Sequence, residues 1–418
     1  MDHIGATRSV PGRFILAALV AACSSPTSSG PAASLAVLNL SSSVTAGAPA
    51  TLTVTAKDAS GKTATGYRGT VHFTTTDLAA QLPPNYTFAS ADAGSHGFAV
   101  TFQTPGNQMV AATDVAASSI TGSQATTVIQ SLYVTNVGTY SVTAYSADAT
   151  GNVMAAASIM GGNTSLVRPF GIARDAAGRI YVANDGTNVI TVYAPGATGN
   201  AAPVAEIGGN NTGINQPYGI ALDATGRLYV LNSSTNSITV YAAGATGNVA
   251  PTATIVGSNT NLHLASGIAV DAAGRSVYVG NSANNSYITV YPADATGNVA
   301  PTATIAGSNT GLSGPAGLAL DAKGSLYVAN LYNNSVTVYA PGDTGNATPT
   351  ATIAGISTGL ASPNGIAVDR EGRFLYVTNY TANGSITVYA TGMTGNVTPT
   401  ATIVGTNTGL NFPAYITF

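Results

Sequence analysis

Arg227-Leu228-Tyr229-Val230-Leu231-Asn232 ends in Tyr-Val-x-Asn, a tetrapeptide that recurs at Tyr133, Tyr181, Tyr229, Tyr278, Tyr327 and Tyr376, at intervals of 48, 48, 49, 49 and 49 residues. A unit repeated this often cannot bury its apolar face alone, so the copies must stack as a solenoid or close into a ring. Around this stretch, the copy that begins at Tyr218 holds three more segments of the same kind: Gly219-Ile220-Ala221-Leu222-Asp223, Ser237-Ile238-Thr239-Val240-Tyr241 and Pro251-Thr252-Ala253-Thr254-Ile255. Each is four or five residues long and alternates with period two, and Gly, Asn and Pro punctuate the gaps. Four short strands per unit predict a propeller blade, whereas a β-helix would need much shorter coils. The recurrent Gly-Ile-Ala belongs on the innermost strand, where blades converge and side chains must be small.

The repeat also predicts its own closure. Pro413-Ala414-Tyr415-Ile416-Thr417-Phe418 aligns with the first strand of a copy and then stops, while Leu132-Tyr133-Val134, Ser141 to Tyr145 and Ala155 to Ile159 form a copy lacking that strand. Joining them in one blade gives six complete blades and removes the edges that an open sheet would expose.

Of 418 residues, 45% are hydrophobic and only 7% are charged, with a net charge of -3 and no basic run. Phosphate binding needs clustered cations, so nucleic acid is not an expected partner. No long Glu/Lys/Leu pattern occurs at helical spacing, and an all-β chain is expected. Residues 1–22 read as a signal segment, with Arg8 and Arg13 ahead of the apolar run from Phe14 to Ala22, too short to span a bilayer. Small residues before Cys23, the only cysteine, resemble a bacterial lipobox, which implies lipidation of Cys23, a membrane anchor and residence at the outer membrane or cell surface. Residues 23–32 form a polar, Pro/Ser-rich tether. Residues 33–130 lack the repeat and contain about seven short alternating strands, which predict a β-sandwich; residues 131–418 are the propeller.

Two family resemblances follow. Thr51-Leu52-Thr53-Val54-Thr55-Ala56, Gly66-Tyr67-Arg68-Gly69-Thr70-Val71-His72-Phe73 and Phe98-Ala99-Val100-Thr101-Phe102 are similar to bacterial immunoglobulin-like modules, which implies a spacer. Pro-x-Gly-Ile-Ala-(Val/Leu)-Asp, Tyr-Val-x-Asn and Asn-Ser-Ile-Thr-Val-Tyr resemble six-bladed NHL-type and TolB-like propellers. That likeness implies a binding platform, in an architecture shared with gluconolactonases and a streptogramin lyase.

Candidate site residues come from the loops. Asp175, Asp223, Asp271, Asp321 and Asp369 each open a turn closed by Gly three residues later, the pattern of a carboxylate capping turn amides. These turns and the Ala-Thr-Gly-Asn loops are expected on one rim. The other rim is expected to carry the Gly-Ser-Asn-Thr-Gly-Leu connections with Asn184, Asp185, Asn232, Asn281, Asn330, Tyr332, Asn379 and Tyr380. Amide, hydroxyl and aromatic groups suit a neutral glycan or an extended peptide; the alternative for the repeated asparagines is that they terminate their strands by bonding turn backbone. Arg174 stands where sister copies have Leu222, Val270, Leu320 and Val368, so it is a further candidate, able to reach the central channel.

A catalytic reading finds little support in these residues. The resemblance to gluconolactonases implies acidic and amide metal ligands on the inner strands, yet these read Gly-Ile-Ala-Val/Leu. His263 is the propeller's one histidine, and no cofactor or metal is expected. The expectation is therefore an exported lipoprotein whose propeller binds a glycan or peptide at the cell envelope. A metal-dependent propeller hydrolase or lyase and a purely structural envelope protein remain as alternatives.

Overall fold

The computed structural model describes residues 29–271, 273–283 and 285–418. The signal segment and Cys23 lie outside the described residues. Regular structure in the described residues is almost wholly strand, with two single-turn 3-10 helices at Ser90–Asp92 and Ser258–Thr260. No helix among the described residues is long and apolar enough to cross a membrane.

The N-terminal part forms two sheets around one core. One sheet has three strands, ordered Ala32–Leu38, Pro49–Asp58, Ser95–Thr101; the other has five, ordered Ser43–Thr45, Thr121–Ile129, Gly106–Asp114, Thr70–Thr75, Tyr86–Thr87. Leu52, Val54, Phe73, Val110 and Phe102 fill the space between them. The alternating patterns at 50–56, 70–75, 98–102 and 108–112 supply these inward residues, as period-two strands with one buried face must. Ser43–Thr45, a short strand without apolar alternation, escapes that pattern and pairs in parallel with Thr127–Ile129.

From Ser131 onward the described residues form six four-stranded sheets, and in five of them the strands follow in sequence from inside to outside. In the first, the order is Pro169–Arg174, Ile180–Asn184, Val189–Tyr193, Ala205–Gly208. The sixth combines the two ends of the repeat region: Pro413–Thr417 lies against Ser131–Asn136, with Pro413 opposite Asn136, Ile416 opposite Val134 and Thr417 opposite Tyr133. Each inner strand touches the inner strand of the next sheet, and that of the sixth touches that of the first. The ring is thereby closed.

Crowding at the axis explains the repeated glycine. A Cβ on Gly171 would lie 2.5 Å from the Tyr218 carbonyl oxygen, and one on Gly317 would lie 2.1 Å from the Asn364 oxygen. Neither site tolerates a side chain. A second belt runs around the outside, where single parallel bridges join Ile159, Ile207, Ile255, Ile305, Ile353 and Ile403 to the Gly of a Thr-Gly-Asn loop in the adjoining sheet. The Asn that follows accepts a backbone N–H from the neighbouring connection, as Asn200 does from Asn163 at 2.8 Å and Asn248 from Asn211 at 2.8 Å. This corrects the expectation that the Thr-Gly-Asn loops and the Asn-Thr-Gly connections occupy opposite rims. They meet on the perimeter because each long loop climbs the outer edge of the sheet beside it.

Candidate functional site

The asparagines that end the second strands are framework. Asn184, Asn232, Asn281, Asn330 and Asn379 are all 0–1% exposed. Each Nδ2 donates to a threonine hydroxyl on the third strand, for example Asn232 to Thr239 at 3.1 Å and Asn330 to Thr337 at 3.0 Å. Each Oδ1 accepts the N–H of the residue two places before the inner strand of its own sheet: Val167, Asn215, His263, Ser313 and Ala361, at 2.8 to 3.0 Å. With the amide saturated and buried, these five side chains do not face a ligand, which corrects their place among the candidate site residues. The third-strand tyrosines are framework too. The hydroxyls of Tyr193, Tyr241, Tyr339 and Tyr389 donate to Thr164, Thr212, Thr310 and Thr358 carbonyls, each at 2.5 Å. Burial pushes the Tyr193 and Tyr339 hydroxyls up to about 12.

The aspartate turns are closed by their own backbone. Asp223 Oδ1 accepts the N–H groups of Thr225 and Arg227 at 2.9 and 3.0 Å, and its Oδ2 accepts from Arg227 Nε at 2.7 Å. Burial raises the Asp223 carboxyl, but the bonds from Thr225 and Arg227 outweigh it and hold the group below the ordinary carboxylate value.

Where the copies differ, a different surface emerges on the face that carries the strand-two turns. The residue ahead of each inner strand adopts a left-handed backbone in every sheet: Arg168, Gln216, Leu264, Gly314, Ser362 and Phe412 have φ between 48° and 63°. The backbone recurs while the side chain varies, so a fixed scaffold displays six different groups. The second residue of the inner strand varies likewise, through Phe170, Tyr218, Ser266, Ala316, Asn364 and Ala414.

Four aromatic rings run across this face. Tyr218 stacks on Phe170 at 4.3 Å between centroids, Phe170 faces Tyr380 at 6.4 Å, and Tyr380 meets Phe412 at 5.3 Å. Tyr380 is therefore part of a continuous aromatic run, whereas Tyr332 stands apart, 65% exposed and packed over Gly314. Beside the run, Arg168 Nη1 lies 3.1 Å from Asp185 Oδ2, and its guanidinium is 6.0 Å from the Phe170 ring. Asp185 is buried, and burial pushes its carboxyl above the ordinary value despite the opposing charge of Arg168.

Tyr415 forms the floor. It occupies the position that is Gly in the other five inner strands, and its side chain crosses the axis so that the hydroxyl lies 2.5 Å from the Ser266 carbonyl and 2.9 Å from the Ala316 carbonyl. Burial raises that hydroxyl well above its ordinary value. Tyr218 abuts it edge-on at 6.0 Å. Burial drives the Tyr218 hydroxyl up to about 12 against the lowering effect of the Asn364 side chain. Asn364 is 1% exposed, and its Oδ1 has no hydrogen-bond partner among the described residues. Phe170, Asn364, Phe412 and Tyr415 are absent from the sequence-based candidates. The signal that could have found them is departure from the repeat at the position before the first inner-strand residue and at the two positions after it.

Arg174 is at the opposite end of the channel. Its guanidinium sits under Gly47 of the sandwich and 5.8 Å from the Tyr133 ring. It does not join Tyr332 and Tyr380. Among the described residues no three His, Cys, Asp or Glu side chains converge.

Similarities to known proteins agree with a repeat-built all-β propeller. Residues 197–349 match the family described as SMP-30/Gluconolactonase/LRE-like region, and residues 304–411 match Lactonase, 7-bladed beta-propeller. No curated protein matches the chain. Among solved structures, the crystal structure of a nidogen/laminin complex is similar with a TM-score of 0.46 and 16% identity, over 68% of this chain and 97% of that one. Virginiamycin B lyase from Staphylococcus aureus is similar with a TM-score of 0.41 and 16% identity, over 59% of this chain and 73% of that one.

Proposed function

We propose that the chain is an envelope lipoprotein, anchored through Cys23 and held off the membrane by an immunoglobulin-like spacer, whose six-bladed NHL-type propeller binds a neutral glycan or an extended peptide without chemical turnover. The observation that carries this reading is the run Tyr218–Phe170–Tyr380–Phe412, laid over a buried Asn364 oxygen that lacks a donor. Aromatic faces stack on the C–H faces of sugars or on apolar side chains, and an unpaired buried acceptor rewards a ligand that donates to it. The Arg168–Asp185 pair at the edge supplies a donor and an acceptor to a polar rim group.

A glycan, peptidoglycan and peptide binding screen with the purified full chain tests it. The expected result is a saturable ligand that Tyr380→Ala weakens by about tenfold or more, on the scale of a lost aromatic anchor. Tyr332→Ala should weaken it less, since Tyr332 stands outside the run. A screen without hits, or a ligand indifferent to Tyr380→Ala, favours a purely structural role and refutes this one.

The two family matches favour a second reading, hydrolysis of a lactone at the same face. It would have to assemble a metal from amides and the single carboxylate Asp185. Stoichiometric calcium or zinc in the purified chain, lost on chelation together with lactone hydrolysis, would establish that reading in place of binding alone.

A further inference from the structure

Below Tyr415 the channel widens into a cavity of about 670 Å³ that the sandwich partly covers. Its walls are the apolar ends of the six inner strands, among them Ile220, Val270, Leu320 and Val368, and its cover is made by Gln103, Thr104 and Gln130. Small-molecule sites commonly have a volume of about 300–1,000 Å³ and a few convergent polar groups.

Arg174 lines this cavity. Its Nε is buried without a hydrogen-bond partner, and no carboxylate lies within ion-pair distance of it among the described residues. Asp175, the one side-chain carboxylate in the cavity wall, is committed to Arg179 at 2.7 Å. Arg370 adds a second cation at the edge. Arg174 as a whole is half-buried, and the face of Tyr133 at 5.8 Å offsets part of the cost of withdrawing its Nε from water. In the sister sheets the same position is Leu222, Val270, Leu320 or Val368, so nothing in the repeat requires a cation there.

We propose that ring and sandwich together enclose a second binding site, for a small monoanionic amphiphile whose carboxylate or equivalent anion pairs with Arg174 and whose apolar body lies along the channel. Gln103 and Gln130 supply amides to the anion's remaining oxygen. A neighbouring void of about 730 Å³ between the sandwich and the fifth and sixth sheets shares Pro105 and Gln130 with the cavity. This site is separated from the aromatic face by Tyr415 and does not depend on what binds there.

Octanoate is a suitable probe for the full chain, read by titration calorimetry and by the melting temperature, with 1-octanol and octylammonium as uncharged and cationic controls. The expected result is one saturable octanoate site per chain that raises the melting temperature, with octanol at least about tenfold weaker, the difference a charge-assisted bond makes. Octylammonium should not bind. Arg174→Leu restores the residue type of the other copies, so it should fold and melt no lower than the parent without ligand, yet lose the octanoate response. Arg174→Lys should retain part of it. Equal binding of octanoate and octanol, an octanoate response that survives Arg174→Leu, or no saturable binding of octanoate would overturn the proposal. So would an Arg174→Leu chain that melts well below the parent, because Arg174 would then be a domain latch.

Discussion

Asn232→Ala separates framework from binding surface most sharply. The substitution removes the Nδ2 bond to Thr239 at 3.1 Å and the Oδ1 bond from the Asn215 N–H at 2.9 Å. It also leaves the Thr239 hydroxyl, 1% exposed, with only the longer contact from Tyr241 at 3.2 Å. Each lost bond is worth about 1 kcal/mol net, and a buried group left unpaired adds about 1–3 kcal/mol. The expected destabilisation is therefore about 2–4 kcal/mol, a large part of the roughly 5–15 kcal/mol that holds a typical fold. Urea unfolding followed by far-UV circular dichroism measures it, tyrosine fluorescence providing a second signal because the chain has 20 Tyr and no Trp. A double-mutant cycle with Thr239→Val should return a coupling of about 1 kcal/mol between the two side chains. Asn232→Asp should cost at least as much as Asn232→Ala, since it loses the donor and buries a charge. A loss below about 0.5 kcal/mol, the range of an ordinary surface change, would refute the framework role. So would a zero coupling.

Removing Pro413–Phe418 takes away the inner strand of the sixth sheet. Ala414, Tyr415 and Ile416 are each under 8% exposed, and at about 1.5–3 kcal/mol per large apolar side chain the loss should reach about 5 kcal/mol. Thermal melting and size-exclusion chromatography should show a lower transition and association through the bared edge of Ser131–Asn136. An unchanged melting temperature would contradict the closure. Tyr415→Phe, which deletes the hydroxyl bridging to Ser266 and Ala316, should cost about 1 kcal/mol in urea unfolding, and no change would mean that the bridge is energetically idle. Acid should weaken the fold through Asp77, Asp114 and Asp223. Burial raises all three carboxyls, but hydrogen bonds from the Thr104 amide, the Tyr67 hydroxyl and the Thr225 hydroxyl respectively lead the opposing effects, so each ends below the ordinary value. Groups depressed in the folded state contribute stability that is complete above the unfolded value, near 3.9, and lost as pH falls through the folded ones. Urea midpoints should thus hold from neutral pH to about 5 and decline below about 4; a flat profile into strong acid would contradict these bonds.

The repeat made the ring legible because every Tyr-Val-x-Asn copy performs the same local task. Asn232 and Tyr241 must satisfy the same backbone groups as Asn330 and Tyr339, so identical residues recur at identical intervals. Alternation and turn residues were likewise enough to place most strands of the sandwich. The site was less legible, because a conspicuous polar residue in a repeat can serve either the scaffold or a ligand. The asparagines proved to be scaffold, and Tyr380 gained its place only from the company of Phe170 and Phe412.

Strand periodicity and the period of the repeat, both local properties, determined from sequence alone that this chain builds small sheets and closes them end to end. Which side chains meet was decided by tertiary structure. Phe170 and Tyr380 lie 210 positions apart and become neighbours only when the ring closes. Tyr415 reaches the carbonyls of two distant sheets only because all the inner strands converge on one axis. Arg174, an oddity in a line of Leu and Val, becomes a half-buried cation with an unpaired Nε at the mouth of the channel once the sandwich lies over it. A linear sequence carries no information on such burial until the two parts of the chain are brought together.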